Sequence, residues 1–258
     1  MRFCSLGSGS SGNGTLVEAT TGGRSTRVLV DCGFSLRELA TRLARLDLTP
    51  DDLDAVFVTH EHGDHVGCAV RLATRHRVPL WTSRGTWRAI GAPDMPAPPR
   101  FARDGEAIVV KDLELRPFTV PHDATEPLQL AVTDGASRLG LLTDVGGSTP
   151  HLLAQLQRCE ALLIEFNHDS ALLEASRYPY PVKRRIGGPL GHLSNDAAAD
   201  ILAACVHDGL RHVAAGHLSQ ENNTPALVRA ALARATGGGD DDFVVADAAG
   251  GFDWLGLR

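Results

Sequence analysis

Apolar residues recur along this chain in short bursts, and their spacing predicts strands before helices. Phe3 to Leu6, Thr15 to Glu18 and Arg27-Val28-Leu29-Val30-Asp31 are three β runs separated by turn residues, a pattern that predicts a meander. Ser35 then stands before Leu36, Leu39, Leu43 and Leu46, a spacing near 3.6 that predicts a capped helix ending before Pro50. Val56 to Thr59 reads as a strand, the segment from about Asp64 to Arg77 as one helix, and Leu80-Trp81-Thr82 as a strand. The second half repeats the plan. Ala107 to Val110, Leu113 to Val120, Leu128 to Val132, Leu139 to Thr143 and Ala161 to Phe166 are strand-like, followed by a helix over Asn195 to Val206, a short strand at Val213 to Ala215 and a helix over Pro225 to Ala235. Strands followed by helices, twice, predict two layered sheets with helices outside, an α+β fold. The proline-rich stretch from Ala92 to Pro99 interrupts β-rich sequence on both sides, so it reads as a rigid surface loop, and residues 1–258 are expected to form one domain.

Composition narrows the class. The 258 residues carry a formal charge of −6, which gives no global basic footprint and leaves any nucleic-acid contact to a local patch. Five cysteines are odd in number, far apart and free of any CxxC pair, which argues against a disulfide framework or a zinc ribbon and suits a reducing cytoplasm. No apolar run approaches the ~18 residues of a membrane span, so no membrane contact is expected. Gly7-Ser8-Gly9-Ser10-Ser11-Gly12 matches GxGxxG after a strand, but Asn13-Gly14 and a β run follow where a dinucleotide fold would need a helix. A hairpin loop is the better expectation.

The chemistry concentrates in Thr59-His60-Glu61-His62-Gly63-Asp64-His65. Three imidazoles and a carboxylate within six residues form a metal-binding set, and mixed nitrogen and oxygen donors suit zinc, manganese or iron better than calcium or magnesium. The spacing i, i+2, i+4, i+5 does not fit one helix face, so a loop leaving a strand must present the ligands, some to one ion and some to a second. That cluster cannot close two coordination shells alone. His122, Asp144 and His217 each stand just past an apolar strand, where a sheet edge could converge them on it.

Together these residues resemble the metal signature of the metallo-β-lactamase superfamily, whose fold is an αββα four-layer sandwich with two mixed sheets and helices on the outer faces. Within it the chain resembles the YycJ/WalJ group of DNA exonucleases, related to the tRNase Z-like phosphodiesterases. The segments Ser8 to Asn13, Val120 to Ala124, Glu165 to Asp169, Gly191 to Asn195 and Gly216 to Asn223 carry that narrower likeness. The resemblance implies one divalent ion on His60, His62 and His122, a second on Asp64, His65 and His217, with Asp144 and a hydroxide nucleophile between them. It also makes Asp31 a supporting carboxylate and counts Asp64 with the catalytic groups. Such a pair of ions, about 3.5–4 Å apart, stabilises both the attacking and the leaving oxygen of a phosphodiester.

A nucleotide 3′-alkoxide leaves poorly, so a general acid is expected; His192 is the candidate, oriented by Glu165. The implied reaction is 5′ to 3′ DNA exonuclease hydrolysis. DNA is favoured over RNA on the resemblance alone, and tRNase Z-type RNA processing or hydrolysis of a small thioester or lactone are the alternatives. Substrate contacts are expected from Ser8, Ser10, Ser11 and Asn13 of the glycine-serine loop. Lys183 and Arg184, in the basic run near Tyr178 and Tyr180, are further candidates, as are Ser194, Ser219, Asn222 and Asn223.

Overall fold

The computed structural model describes residues 1–239 and 243–257. Two seven-stranded mixed sheets stack face to face. The first runs in the order β14 (Phe252–Gly256), β1 (Arg2–Gly7), β2 (Gly14–Thr21), β3 (Arg24–Val30), β4 (Ala55–Val58), β5 (Leu80–Thr82), β6 (Arg100–Phe101). The second runs β13 (Phe243–Val245), β12 (His212–Gly216), β11 (Ala161–Glu165), β10 (Arg138–Leu142), β9 (Leu128–Thr133), β8 (Leu113–Thr119), β7 (Ile108–Val110).

Strand side chains alternate between faces, and here both faces are covered. Leu139, Leu141, Leu163 and Ala214 point into the core between the sheets, beside Phe3, Val28, Phe57 and Leu130. Their neighbours Leu142, Leu162, Ile164 and Ala215 point the other way, onto the helices α5 (Pro150–Leu156), α8 (Asn195–Cys205) and α9 (Pro225–Thr236). Leu29, Val56 and Val58 meet α1 (Leu36–Ala44), α3 (Ala69–His76) and α4 (Arg84–Ala89) on the outer face of the first sheet. The result is the expected αββα sandwich. Burial on both faces is why β10, β11 and β12 read as nearly continuous apolar runs.

The expected helix from Asp64 to Arg77 is instead two pieces. A four-residue turn, α2 (Gly63–Val66), is separated from α3 by Gly67 at φ 30°. A Cβ on Gly67 would lie 2.3 Å from the Cys32 carbonyl oxygen, so the chain can pass this close only as glycine. Gly33 is pressed against Asp64 in the same way, its notional Cβ 1.8 Å from the Asp64 carbonyl oxygen. Backbone bonds from Cys32 N to His65 O (2.8 Å) and from Asn13 N to Asp64 O (2.8 Å) complete the clamp. The histidine loop is thus gripped by the β3 exit and by the glycine-serine loop, which is a hairpin connection and not a dinucleotide site.

Several elements carry too little periodic signal to be foreseen. They are α4, α5, α6 (Ser170–Ala175), α7 (Tyr180–Ile186) and the strands β6, β13 and β14. The basic run Lys183-Arg184-Arg185 lies on α7. The stretch Ala92 to Pro99 is a loop, as expected. All five cysteines are buried and free, and among the described residues no helix is long and apolar enough to cross a membrane.

Candidate metal centre

The site residues stand at the carboxyl ends of strands. His60 follows β4, His122 follows β8, Asp144 follows β10, Glu165 ends β11 and His217 follows β12. β3 and β4 are parallel, as are β10, β11 and β12, so their C-terminal ends open at one edge of the sandwich. Three of the exits need a sharp backbone reversal. Asp31, Asp144 and His217 adopt left-handed conformations at φ 62°, 54° and 55°, each costing on the order of 1 kcal/mol or more.

Candidate ligand atoms converge in overlapping groups: His60, His62 and His122; Asp64, His65 and His217; and His60, His65 and Asp144, each within 4.8 Å of one another. Asp144 is central. Its Oδ1 lies 2.9 Å from His217 Nδ1 and 3.1 Å from His192 Nδ1, while Oδ2 abuts His65 Nε2 and stands 3.9 Å from His60 Nε2. Despite that crowding, Asp144 Oδ2 and His217 Nδ1 are buried and in no hydrogen bond. Orphaned buried acceptors and donors are costly unless another partner completes them. The donor set and these two orphaned atoms fit divalent cations.

Supporting contacts fix the imidazoles. Asp31 Oδ2 lies 2.8 Å from His65 Nδ1, and Asp31 Oδ1 accepts from Thr59 N at 2.8 Å. His122 Nδ1 donates to Gly191 O at 3.1 Å, which leaves Nε2 as the acceptor facing His62. Burial keeps His60 well below the usual imidazole range and His122 below it, so both offer lone pairs. Burial also acts to lower His65, but the Asp144 and Asp31 carboxylates reverse it and raise that imidazole to about 10. His217 is likewise raised to about 10, against burial, by Asp144, Asp64 and Glu165. For Asp144 burial pushes upward, and the His217 and His65 charges more than undo it, holding the carboxyl well below its ordinary value.

These protons make a prediction for metal-free protein. The folded chain holds them more tightly than the unfolded chain, whose histidines titrate near 6.5, so this stabilisation is complete below about pH 6.5 and is lost as pH rises toward about 10. Chelator-treated protein should melt several degrees lower at about pH 9.5 than at about pH 6.5. Metal-loaded protein, whose ligands are already deprotonated, should lose much less; equal losses in the two forms would count against the buried ion pairs.

Beside the cluster stands a dyad. His192 Nδ1 lies 2.7 Å from Glu165 Oε1, and Glu165 Oε2 accepts from Val145 N and Leu193 N at 3.1 Å each. His192 Nε2 makes no hydrogen bond among the described residues, and His192 lines a cleft of about 470 Å³ together with His62, Asp64, Asp144 and His217. Burial alone would lower His192, yet Glu165 and Asp144 raise it to about 11, so it holds its proton.

The expected substrate residues separate into two groups. Ser10 and Ser219 line the cleft, and Ser11 is exposed nearby in sequence. Ser8, Asn13, Asn222 and Asn223 are buried, Ser8 and Asn223 bordering a separate cleft together with Ser219. Ser8 Oγ accepts from His217 N at 2.7 Å, Asn13 Nδ2 donates to Asp64 Oδ2 at 3.3 Å, and Asn223 exchanges hydrogen bonds with Asn195. They brace the site. Asn222 accepts from Asp169 N through its backbone carbonyl, and Ser194 caps α8 by accepting from Ala197 N. One contact had no sequence signal at all: Arg185 Nε donates to Asp123 Oδ2 at 2.6 Å, tying α7 to the residue after His122.

The sequence profile of the beta-lactamase superfamily domain matches residues 26–218. The chain belongs to the metallo-β-lactamase superfamily. Within that superfamily, the exodeoxyribonuclease YycJ of Bacillus anthracis is 32% identical to this chain over 239 residues, 91% of this chain and 88% of that protein. The exodeoxyribonuclease WalJ of Streptococcus pneumoniae is 32% identical over 256 residues, 95% and 93% of the two chains. The crystal structure of human tRNase Z, short form, matches with a TM-score of 0.66 at 14% identity over the full length of both chains, a likeness of fold. This superfamily member is a metal-dependent hydrolase of the YycJ/WalJ-like group.

Proposed function

We propose that the protein is a dinuclear metal-dependent DNA exonuclease that works from the 5′ end. His60, His62 and His122 would hold one divalent ion, Asp64, His65 and His217 the other, with Asp144 between them. Zinc, manganese or iron suits these donors. Bound there, the ions supply an activated water and offset charge on the attacking and leaving oxygens. The observation that carries the phosphodiester reading is the His192–Glu165 dyad. Its Nδ1 is held by carboxylates, so the free Nε2 is the end that can deliver a proton to a departing alkoxide. A thioester or lactone needs no such acid. The choice of DNA rests on the exodeoxyribonuclease names of the two relatives, and that of the 5′ end on the resemblance to the YycJ/WalJ group. One domain working in the cytoplasm fits the unpaired, buried cysteines.

Purified protein loaded with manganese or zinc should release nucleotides from the labelled 5′ end of DNA, and RNA of the same sequence should be degraded more slowly. Faster turnover of RNA would transfer the activity to the ribonucleases. Thioester turnover without nuclease activity would remove the phosphodiesterase reading altogether.

A further inference from the structure

Helix α7 has no buried residue, because it divides two cavities. Val182, Arg185 and Ile186 face the metal cleft. Tyr180, Lys183 and Arg184, with Gly187 just beyond, face a second cavity of about 490 Å³. The spacings i, i+3, i+4 and i, i+3, i+4, i+7 are opposite faces of one short helix. His192 is lining to both spaces. A cavity of this size falls in the range of small-ligand pockets.

The second cavity is chemically equipped for an anion. His168 is only 3% exposed, and among the described residues its side chain makes a single hydrogen bond, Nδ1 to Asn167 Oδ1 at 3.4 Å. Its Nε2 is unbonded and lies toward Gly187 on the cavity wall, 3.9 Å from where a Cβ there would be. Arg184 forms no ion pair among the described residues. Lys183 donates, among the described residues, only to the Glu174 carbonyl, which carries no counter-charge. Ser194 Oγ accepts from Ala197 N and keeps its own proton to donate. Tyr180, 70% exposed at the rim, offers a face on which a base can stack.

The direction of hydrolysis says what should enter. Water adds across the P–O3′ bond: the hydroxyl joins phosphorus and stays with the shortened strand as a new 5′-phosphate, while the proton from His192 goes to O3′. The released nucleotide carries that O3′, so it must lie on the His192 side of the scissile phosphate, where the second cavity opens. Resting on the 5′ exonuclease reading above, we propose that this cavity receives the 5′-terminal nucleotide and that Arg184, Lys183 and His168 hold its 5′-phosphate. Each cut then regenerates the group the cavity recognises, and the strand can advance by one nucleotide into the same place.

The test compares two duplexes that differ only in a 5′-phosphate or a 5′-hydroxyl, using manganese-loaded protein. The wild type should degrade the phosphorylated end at least about tenfold faster, the worth of one charge-assisted contact. In Arg184→Ala and in His168→Gln that ratio should fall to about 1–3. Because it is a ratio within each protein, partial loss of folded enzyme cancels. By calorimetry, metal-free protein should bind deoxyadenosine 5′-monophosphate at least about tenfold more tightly than deoxyadenosine, and Arg184→Ala should erase the difference. Degradation from 5′ ends regardless of their phosphate, or a ratio unchanged in both variants, would overturn the pocket while leaving the exonuclease intact. No release from either 5′ end would bring down the exonuclease reading itself.

Discussion

Asp144→Ala should empty the metal centre. The carboxylate reaches both halves of the cluster, its Oδ1 2.9 Å from His217 and its Oδ2 3.9 Å from His60, and its removal takes away the counter-charge that His65 and His217 share. Metal analysis of the purified variant is expected to fall below two ions per chain, and nuclease turnover by at least about a thousandfold. A variant that still carries two ions would eliminate Asp144 as the shared ligand. The loss should also appear as stability: metal added to wild type raises its melting temperature, as binding to the folded state alone must, and added metal should leave the melting of Asp144→Ala nearly unmoved.

His192→Ala separates metal binding from proton delivery. Its Nδ1 contacts Glu165 and Asp144, but no expected ligand group for the ions depends on it, so metal content should stay at the wild-type level. Cleavage of DNA should slow by about 10²–10⁴-fold, the usual contribution of a positioned general acid. A nitrophenyl phosphodiester, whose leaving group departs without a proton, should lose less than about tenfold. Equal losses on the two substrates would remove His192 from the acid role and make the dyad a structural brace.

The centre was legible because its chemistry obeys a positional rule. His122, Asp144 and His217 each follow an apolar strand run, and strands that share a direction deliver their C-terminal ends to one edge. The runs themselves were legible where both faces are buried, as in Leu139 to Leu142 and Ala161 to Glu165. Two kinds of information were hidden. Short elements such as α6 and α7 hold too few residues to show a period, and α7 shows no buried face at all because cavities flank it. Contacts between distant loops were hidden as well: nothing near Ser8 announces that its hydroxyl will receive the His217 amide from 209 residues away. The break at Gly67 belongs to the same class, since the obstacle it avoids is the Cys32 carbonyl.

The left-handed exits at Asp31, Asp144 and His217 carry one further implication. Aspartate, asparagine and histidine are among the few side chains other than glycine that tolerate this conformation. At these three bends the backbone and the metal chemistry therefore select from nearly the same short menu of residue types. A relative that has drifted out of catalysis should keep the bend and lose the donor, carrying glycine or asparagine at the positions equivalent to 144 and 217. Such a chain would fold as well as this one or better, and its silence as an enzyme could be read from two letters of its sequence.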